Sequence, residues 1–475
     1  MPRRRVPNKR LPRLLAEAEW SGRSLAQEVN ARGHAQGLPL RYDRTSVAHW
    51  AAGSRPRSPV PALVAQALTA RTGRLVTEAE TGLLPAKRSA EQAVTDLVSD
   101  SDPVRRLASM SRADTDPRQR QSLRRLVYEP SLTCVPPQHA PGEAPASRDE
   151  GPRAVADGAL VADGALTDMV TVFWQQMELY GGLHARTALA TYLADDGVSA
   201  LNGVRDEARQ RRLLADVALG AHVLGMMSAD SNLHGLGQRY YRTAAEIAAH
   251  AGAATLEATV LRAMSTQASR LGFHERALAL SVRAMEVTRR CDSPMVRAFV
   301  LAQRAAAYAG TMQRRAALDD LTSAERALSD SSPASAPQLV SYPLAALRFQ
   351  EGQALLALGE TKAAIRALET SLDHRLPDQR RARVLTRARL AQVRLGAGNL
   401  DAGCHDCALF LDEVSHLSSP RAISAISTLQ SALRPFHRYR PAHALLSRSR
   451  HVQAQATRGT APPRSVFGAA PSRGR

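Results

Sequence analysis

The feature that most constrains the fold is a glycine that recurs along the C-terminal half of the chain. Gly235, Gly272, Gly310, Gly359 and Gly398 stand 37, 38, 49 and 39 residues apart, and the long interval contains an extra Ser/Pro/Ala segment, Ser331–Pro337. Apolar residues flank these glycines at helical spacing: Leu256, Val260, Met264, Ala268 and Leu271 before Gly272, Ile365, Leu368 and Leu372 after Gly359, and Val384, Ala388, Ala391 and Leu395 before Gly398. Each glycine therefore reads as the turn of a helical hairpin. One hairpin cannot bury its own apolar face, so hairpins of this length stack into a solenoid.

Composition agrees. Aromatic residues make up only 4% of the 475, which suits a core of small and straight side chains. The formal charge is +19, and only three of the 63 basic residues are lysines (Lys9, Lys87, Lys362). Arginine in place of lysine, with abundant Ala, Gly and Pro, points to a GC-rich genome. The net charge is a separate matter and favours a polyanionic partner. No run of eighteen apolar residues suggests a membrane span, and Met1–Arg13 lacks the apolar stretch of a signal peptide. Cys134, Cys291, Cys404 and Cys407 are too few and scattered for a disulfide scaffold. A cytoplasmic, reduced protein without membrane contact is expected.

Five zones follow. Residues 1–88 carry 16 Lys/Arg against 6 Asp/Glu. Residues 89–129 read as connecting helices. Residues 130–167 read as a disordered Pro/Ala/Gly linker, enlarged by a hexamer duplication (Val155–Leu160, then Val161–Leu166). Residues 168–447 are the helical-repeat domain, and 448–475 a disordered basic tail. From Arg434 to the end there are nine arginines and no acid.

Four helices are expected in the N-terminal zone. Leu11–Trp20 turns Leu14, Leu15 and Ala18 inward. Ser24–Ala31 is opened by Ser21 or Ser24. Thr45–Ala52 is closed by Gly53, and Val60–Arg71 is entered through Pro59 and Pro61. The second helix reads Leu25-Ala26-Gln27-Glu28-Val29. The third reads Thr45-Ser46-Val47-Ala48-His49-Trp50-Ala51-Ala52-Gly53, followed by Ser54, Arg55 and Pro56. This succession resembles the Cro/C1-type (XRE-like) helix-turn-helix, although twelve residues, Arg32–Asp43, replace the family's tight turn. The resemblance implies binding to double-stranded DNA. Val47 and Trp50 would face the core, leaving Thr45, Ser46 and His49 outward for base edges, with Arg41, Arg44, Arg55 and Arg57 on phosphates.

The repeats resemble tetratricopeptide (TPR) units: Gly359-Glu-Thr-Lys-Ala-Ala364 and Gly272-Phe-His-Glu-Arg-Ala277 place a small residue five after the turn glycine. An unrelated α-solenoid is the competing reading. The expected class is thus all-α: a small helix-turn-helix domain, a disordered linker and a TPR-like α-solenoid. The layout is similar to that of actinobacterial regulators of development and antibiotic production. It implies a peptide or protein partner in the repeat groove, and a homodimer. Arg304, Gln353 and Gln392 lie six residues before their turn glycines and are the candidate groove lining, with Arg270 nearby.

No other motif carries chemistry. Cys404-His405-Asp406-Cys407 lacks a second ligand pair for zinc and reads as helix packing. Gly235-Leu-Gly237 lacks the third glycine and preceding strand of a dinucleotide site. No nucleophile elbow or metal-protease motif is present, so no enzyme, cofactor or metal is expected. Two functions compete: a transcriptional regulator, and an interaction scaffold whose basic N-terminus binds nucleic acid only non-specifically.

Overall fold

The computed structural model describes residues 7–35, 40–83 apart from positions 58, 75, 77 and 79, 100–132, 164–331 and 343–459. The inserted segments expected as linker and inter-repeat loop, and the end of the tail, lie largely outside these residues. Among the described residues every regular element is a helix. The chain divides into two units, residues 1–95 and 96–475.

The first unit contains α1 (Arg10–Glu17), α2 (Gly22–Ala35), α3 (Arg44–Ala51) and α4 (Val60–Thr72). Its core is one cluster: Leu11 and Leu14 from α1, Leu25, Ala26 and Val29 from α2, Val47 and Trp50 from α3, and Leu63, Val64, Ala67 and Leu68 from α4. Val76 and Leu83 complete it from the segment after α4. Trp50 is an anchor because it is the largest of these side chains, and Tyr42 meets it edge-on with ring centres 5.0 Å apart.

The second unit begins earlier than expected. α5 (Pro103–Thr115) and α6 (Pro117–Arg124) are not connectors; they pack into the repeats. Arg106 donates to Thr243 at 2.9 Å and pairs with Glu246, while Asp114 pairs with Arg186, all four being buried. These charges are held in the interior by ion pairs, with Arg242 a second partner of Glu246 at 2.9 Å. After α6 the chain crosses the repeats as a strap, with Gln238 donating to the Glu129 carbonyl at 2.6 Å and Tyr128 stacking on Phe273.

Next come α7 (Ala165–Tyr180) and α8 (Arg186–Tyr192), the latter prolonged by a π-helical turn at Leu193–Gly197. Six hairpins follow: α9 (Glu207–Asp230) with α10 (His234–His250), α11 (Ala254–Arg270) with α12 (His274–Val287), and α13 (Pro294–Gly310) with α14 (Arg314–Ser329). The remainder are α15 (Leu344–Ala357) with α16 (Thr361–Asp373), α17 (Arg380–Gly396) with α18 (Leu400–Val414), and α19 (Pro420–Leu433) with α20 (Arg440–Gly459). The repeated helical hairpin is thus the architecture of this unit.

The turns correct the expected register. The left-handed residues between paired helices are Asn232, Gly272, Met312, Gly359 and Gly398. In each the amide after that residue bonds back five positions, as in Leu233 to Ser228, Phe273 to Ala268 and Gln313 to Tyr308. This is the Schellman closure of the first helix. Gly310 is the last residue of α13, and Gly235 lies in the first turn of α10. Gly235 is small for another reason: a Cβ there would sit 2.2 Å from the Leu126 carbonyl oxygen of the strap.

The C-terminal boundary also moves. α20 runs on to Gly459, twelve residues past Ser447, because Leu445, Leu446 and Ser449 are buried against the last hairpins. α9 is long and apolar enough to cross a membrane, but most of its apolar stretch is buried within the unit. Cys404 and Cys407 are packing residues beside Phe410, and burial pushes the Cys407 thiol up to about 12. No group of three or more metal-ligating side chains occurs among the described residues.

The ring of first helices closes. α9, α11, α13 and α15 neighbour one another in order, α17 follows through α16, and α19 packs on both α17 and α9. α7 bridges α9 and α17. The Ser418 amide donates to the Tyr180 carbonyl at 2.6 Å, and Asn232 bonds Ser424 at 2.9 Å, so the last hairpin is tied to the first.

Candidate functional site

In the first unit, the backbone of α3 is held from both sides. Asn30 of α2 accepts from the Tyr42 amide and donates to the Tyr42 carbonyl, each at 2.8 Å. That amide pair fixes the entry to α3 in place of a tight turn. Asp43 then caps the helix: its carboxylate accepts from the Ser46 amide at 2.8 Å and from the Ser46 hydroxyl at 2.7 Å. These hydrogen bonds hold the Asp43 carboxyl below its usual range. At the far end Gly53, with φ of 99°, reverses the chain, and Ser54 donates to the His49 carbonyl.

Two more of the twelve residues after Ala31, Gly33 and Leu40, are clear in role. α2 continues through Ala35, one turn beyond expectation, and Gly33 lets Leu40 pack so closely that a Cβ would lie 2.5 Å from it.

With Val47 and Trp50 buried, Thr45, Ala48, His49 and Ala52 form an exposed face. Arg41, Arg44, Arg55 and Arg57 are also exposed, and none pairs with a described carboxylate. Other arginines of the unit behave differently: Arg74 pairs with Glu17 and Glu80, and Arg32 with Glu28. Exposed positive charge without a described ion pair thus surrounds α3, and stands also at Arg13 and Arg23 on α1 and α2. Ser46 departs from its expected role. It is half-buried and its hydroxyl closes the cap, so it shapes the helix rather than facing outward freely.

In the second unit the expected groove residues do not converge. Arg304 is bound by Asp320 through two bonds of 2.7 and 2.8 Å, and Gln392 accepts from Arg389 at 2.7 Å. Neither they nor Gln353 line the cavity of about 450 Å³ that the ring encloses. Its walls come from α7, α9, α11, α13, α15, α17 and α19, with Trp174, Tyr241, Phe299, Phe349 and Leu385 among the lining residues. Arg270 does face it. Arg304 is counted from Gly310, which is not the turn, but Gln353 and Gln392 are counted from true turn glycines, so six residues before the turn is not a cavity-facing position in these hairpins.

Between the inner helices runs a ladder of buried amides and hydroxyls. Thr266 donates to Gln303 at 2.8 Å, Gln303 to Ser265 at 3.1 Å, and Gln350 to Gln303 at 2.9 Å. Glutamine and serine inside Ala/Leu helices give no sequence motif, yet they lock three hairpins in register.

Residues 11–84, which span all four helices and the Val76–Leu83 segment completing their core, match a family model described as the SP15 N-terminal domain. No curated protein matches the chain.

Proposed function

We propose that this protein is a DNA-binding regulator of helix-turn-helix type, with α3 as the reading helix and the ring of hairpins as its partner-binding half. One observation carries the reading: an exposed helix face of short polar side chains, Thr45 and His49, ringed by four arginines that no described carboxylate neutralises. Short side chains on a rigid helix reach base edges, and free guanidiniums bind phosphates and set register. The sequence resemblance to Cro/C1-type domains points the same way, as do the charge of +19 and the layout shared with actinobacterial regulators. A cytoplasmic homodimer on paired half-sites fits this reading, the hairpin unit supplying the contact.

A mobility-shift titration of the full chain on its own promoter region, at about 50 and 200 mM salt, tests it. A discrete complex should survive the higher salt on some fragments and not others. Arg44→Ala and Arg55→Ala should each weaken binding on every fragment and lower the salt slope by about one. Thr45→Ala or His49→Ala should change which fragment is preferred. Binding that collapses equally on all DNA would leave the interaction-scaffold reading in its place.

A further inference from the structure

We infer that the cavity enclosed by the ring is a binding site for an organic carboxylate with an apolar body, its charged end held by Arg270 and Arg421. The inference deepens the partner-binding reading of the hairpin unit, and its test measures ligand binding directly, so its failure leaves DNA binding by α3 untouched.

The argument begins with which charges are already satisfied. Glu178 and Asp230 both line the cavity, and both are taken by Arg381; Asp230 also accepts from the Gly182 amide at 2.8 Å. Arg375 bonds the Ala345 carbonyl and Arg262 lies over the Phe299 ring at 3.9 Å. Arg270 and Arg421 remain. Neither forms a hydrogen bond or ion pair with a described residue, although both line the cavity alongside Asp230 and Tyr241. Arg421 is half-buried and Arg270 is exposed on the cavity wall. Desolvation lowers both from the usual arginine range, Arg270 lowers Arg421 further, and Asp230 offsets part of the shift in each. Two guanidiniums that face one apolar-walled cavity and have no described ion pair of their own are free to take a ligand's anion.

The rest of the wall sets the ligand's body. Trp174, Phe299, Phe349, Leu376 and Leu385 supply aromatic and aliphatic surface, and a space of about 450 Å³ suits a small molecule or the last residues of a peptide. Planar guanidiniums match the two oxygens of a carboxylate. Nearby Asp230, Glu178 and Asp378 disfavour a doubly charged phosphate. The carboxylate can belong to a free aryl or alkyl acid or to a peptide C-terminus, since both present the same group.

Titration calorimetry on the full-length protein distinguishes these. The probes are a panel of aryl and alkyl carboxylic acids, a set of N-acetyl dipeptides ending in Phe, Trp or Leu, the corresponding primary amides, and inorganic phosphate. Members of one acid set should bind saturably, at least about tenfold tighter than their amides, with phosphate weaker than the best acid. Which set binds identifies the source. Arg270→Gln with Arg421→Gln should abolish the preference for acid over amide. The same double variant should melt within a few degrees of the parent, because neither guanidinium makes a described ion pair that holds the fold. Acids that bind no better than amides, phosphate that binds as well as the best acid, or a double variant that loses stability would each overturn the proposal.

Discussion

At the scale of single residues, position decides more than chemistry. Gly235 is the clearest case, since the strap's backbone occupies the space a side chain would need. Gly235→Ala should destabilise the second unit by about 2 kcal/mol, read by chemical denaturation, and should raise amide exchange at residues 126–132. His222 of α9 is buried beside Tyr241, and burial, with Arg262 nearby, lowers it from 6.5 to about 4. In the unfolded chain this imidazole charges near 6.5, so the unfolded state takes up more protons as pH falls. The stability it supports is complete above about 6.5 and is lost as pH approaches 4. The difference is roughly 2 kcal/mol at about pH 5. His222→Phe should flatten that part of the stability-versus-pH curve; an unchanged curve would refute the assignment.

At the scale of elements, the hairpin was legible and its register was not. Gly272, Gly359 and Gly398 announce their turns because glycine accepts positive φ without strain. Asn232 and Met312 adopt the same conformation without announcing it, and the nearest glycines, Gly235 and Gly310, drew the count three residues late and two early. Met312 is 72% exposed, so it gains nothing from packing that would offset the strain. Met312→Gly should therefore stabilise by about 0.5–1 kcal/mol, measured by thermal or urea unfolding. The helices of the first unit were readable for the opposite reason: Leu25, Val29, Val47 and Trp50 repeat at helical spacing and all are buried. The role of Ser46 was hidden because a cap and a base contact call for the same residue type. The cavity was hidden more deeply. Trp174, Arg270 and Arg421 are far apart in sequence, and only closure of the ring brings them to one wall.

At the scale of the whole chain, the boundaries drawn from composition cut through structure. A fragment of residues 168–447 would leave Arg186 without Asp114 and Glu246 without Arg106, and would remove half of α20. Breaking such buried pairs, above all leaving Arg186 without Asp114, is strongly destabilising. That fragment should be aggregation-prone or poorly folded, whereas residues 100–459 should fold with a cooperative thermal transition and full helical circular dichroism. Residues 7–83 should fold independently, since their core is complete within that span.

The closed circuit of first helices has a further consequence. An open array of hairpins grows or shrinks by whole repeats, because its ends are free and each unit touches only its neighbours. Here α19 rests on α9, so the number of hairpins is fixed by geometry, as staves are fixed in a cask. Inserting or deleting one would break the joint at Asn232 and Ser424 and open the central chamber. Lineages carrying this fold should vary in the segments between hairpins while keeping the hairpin count constant.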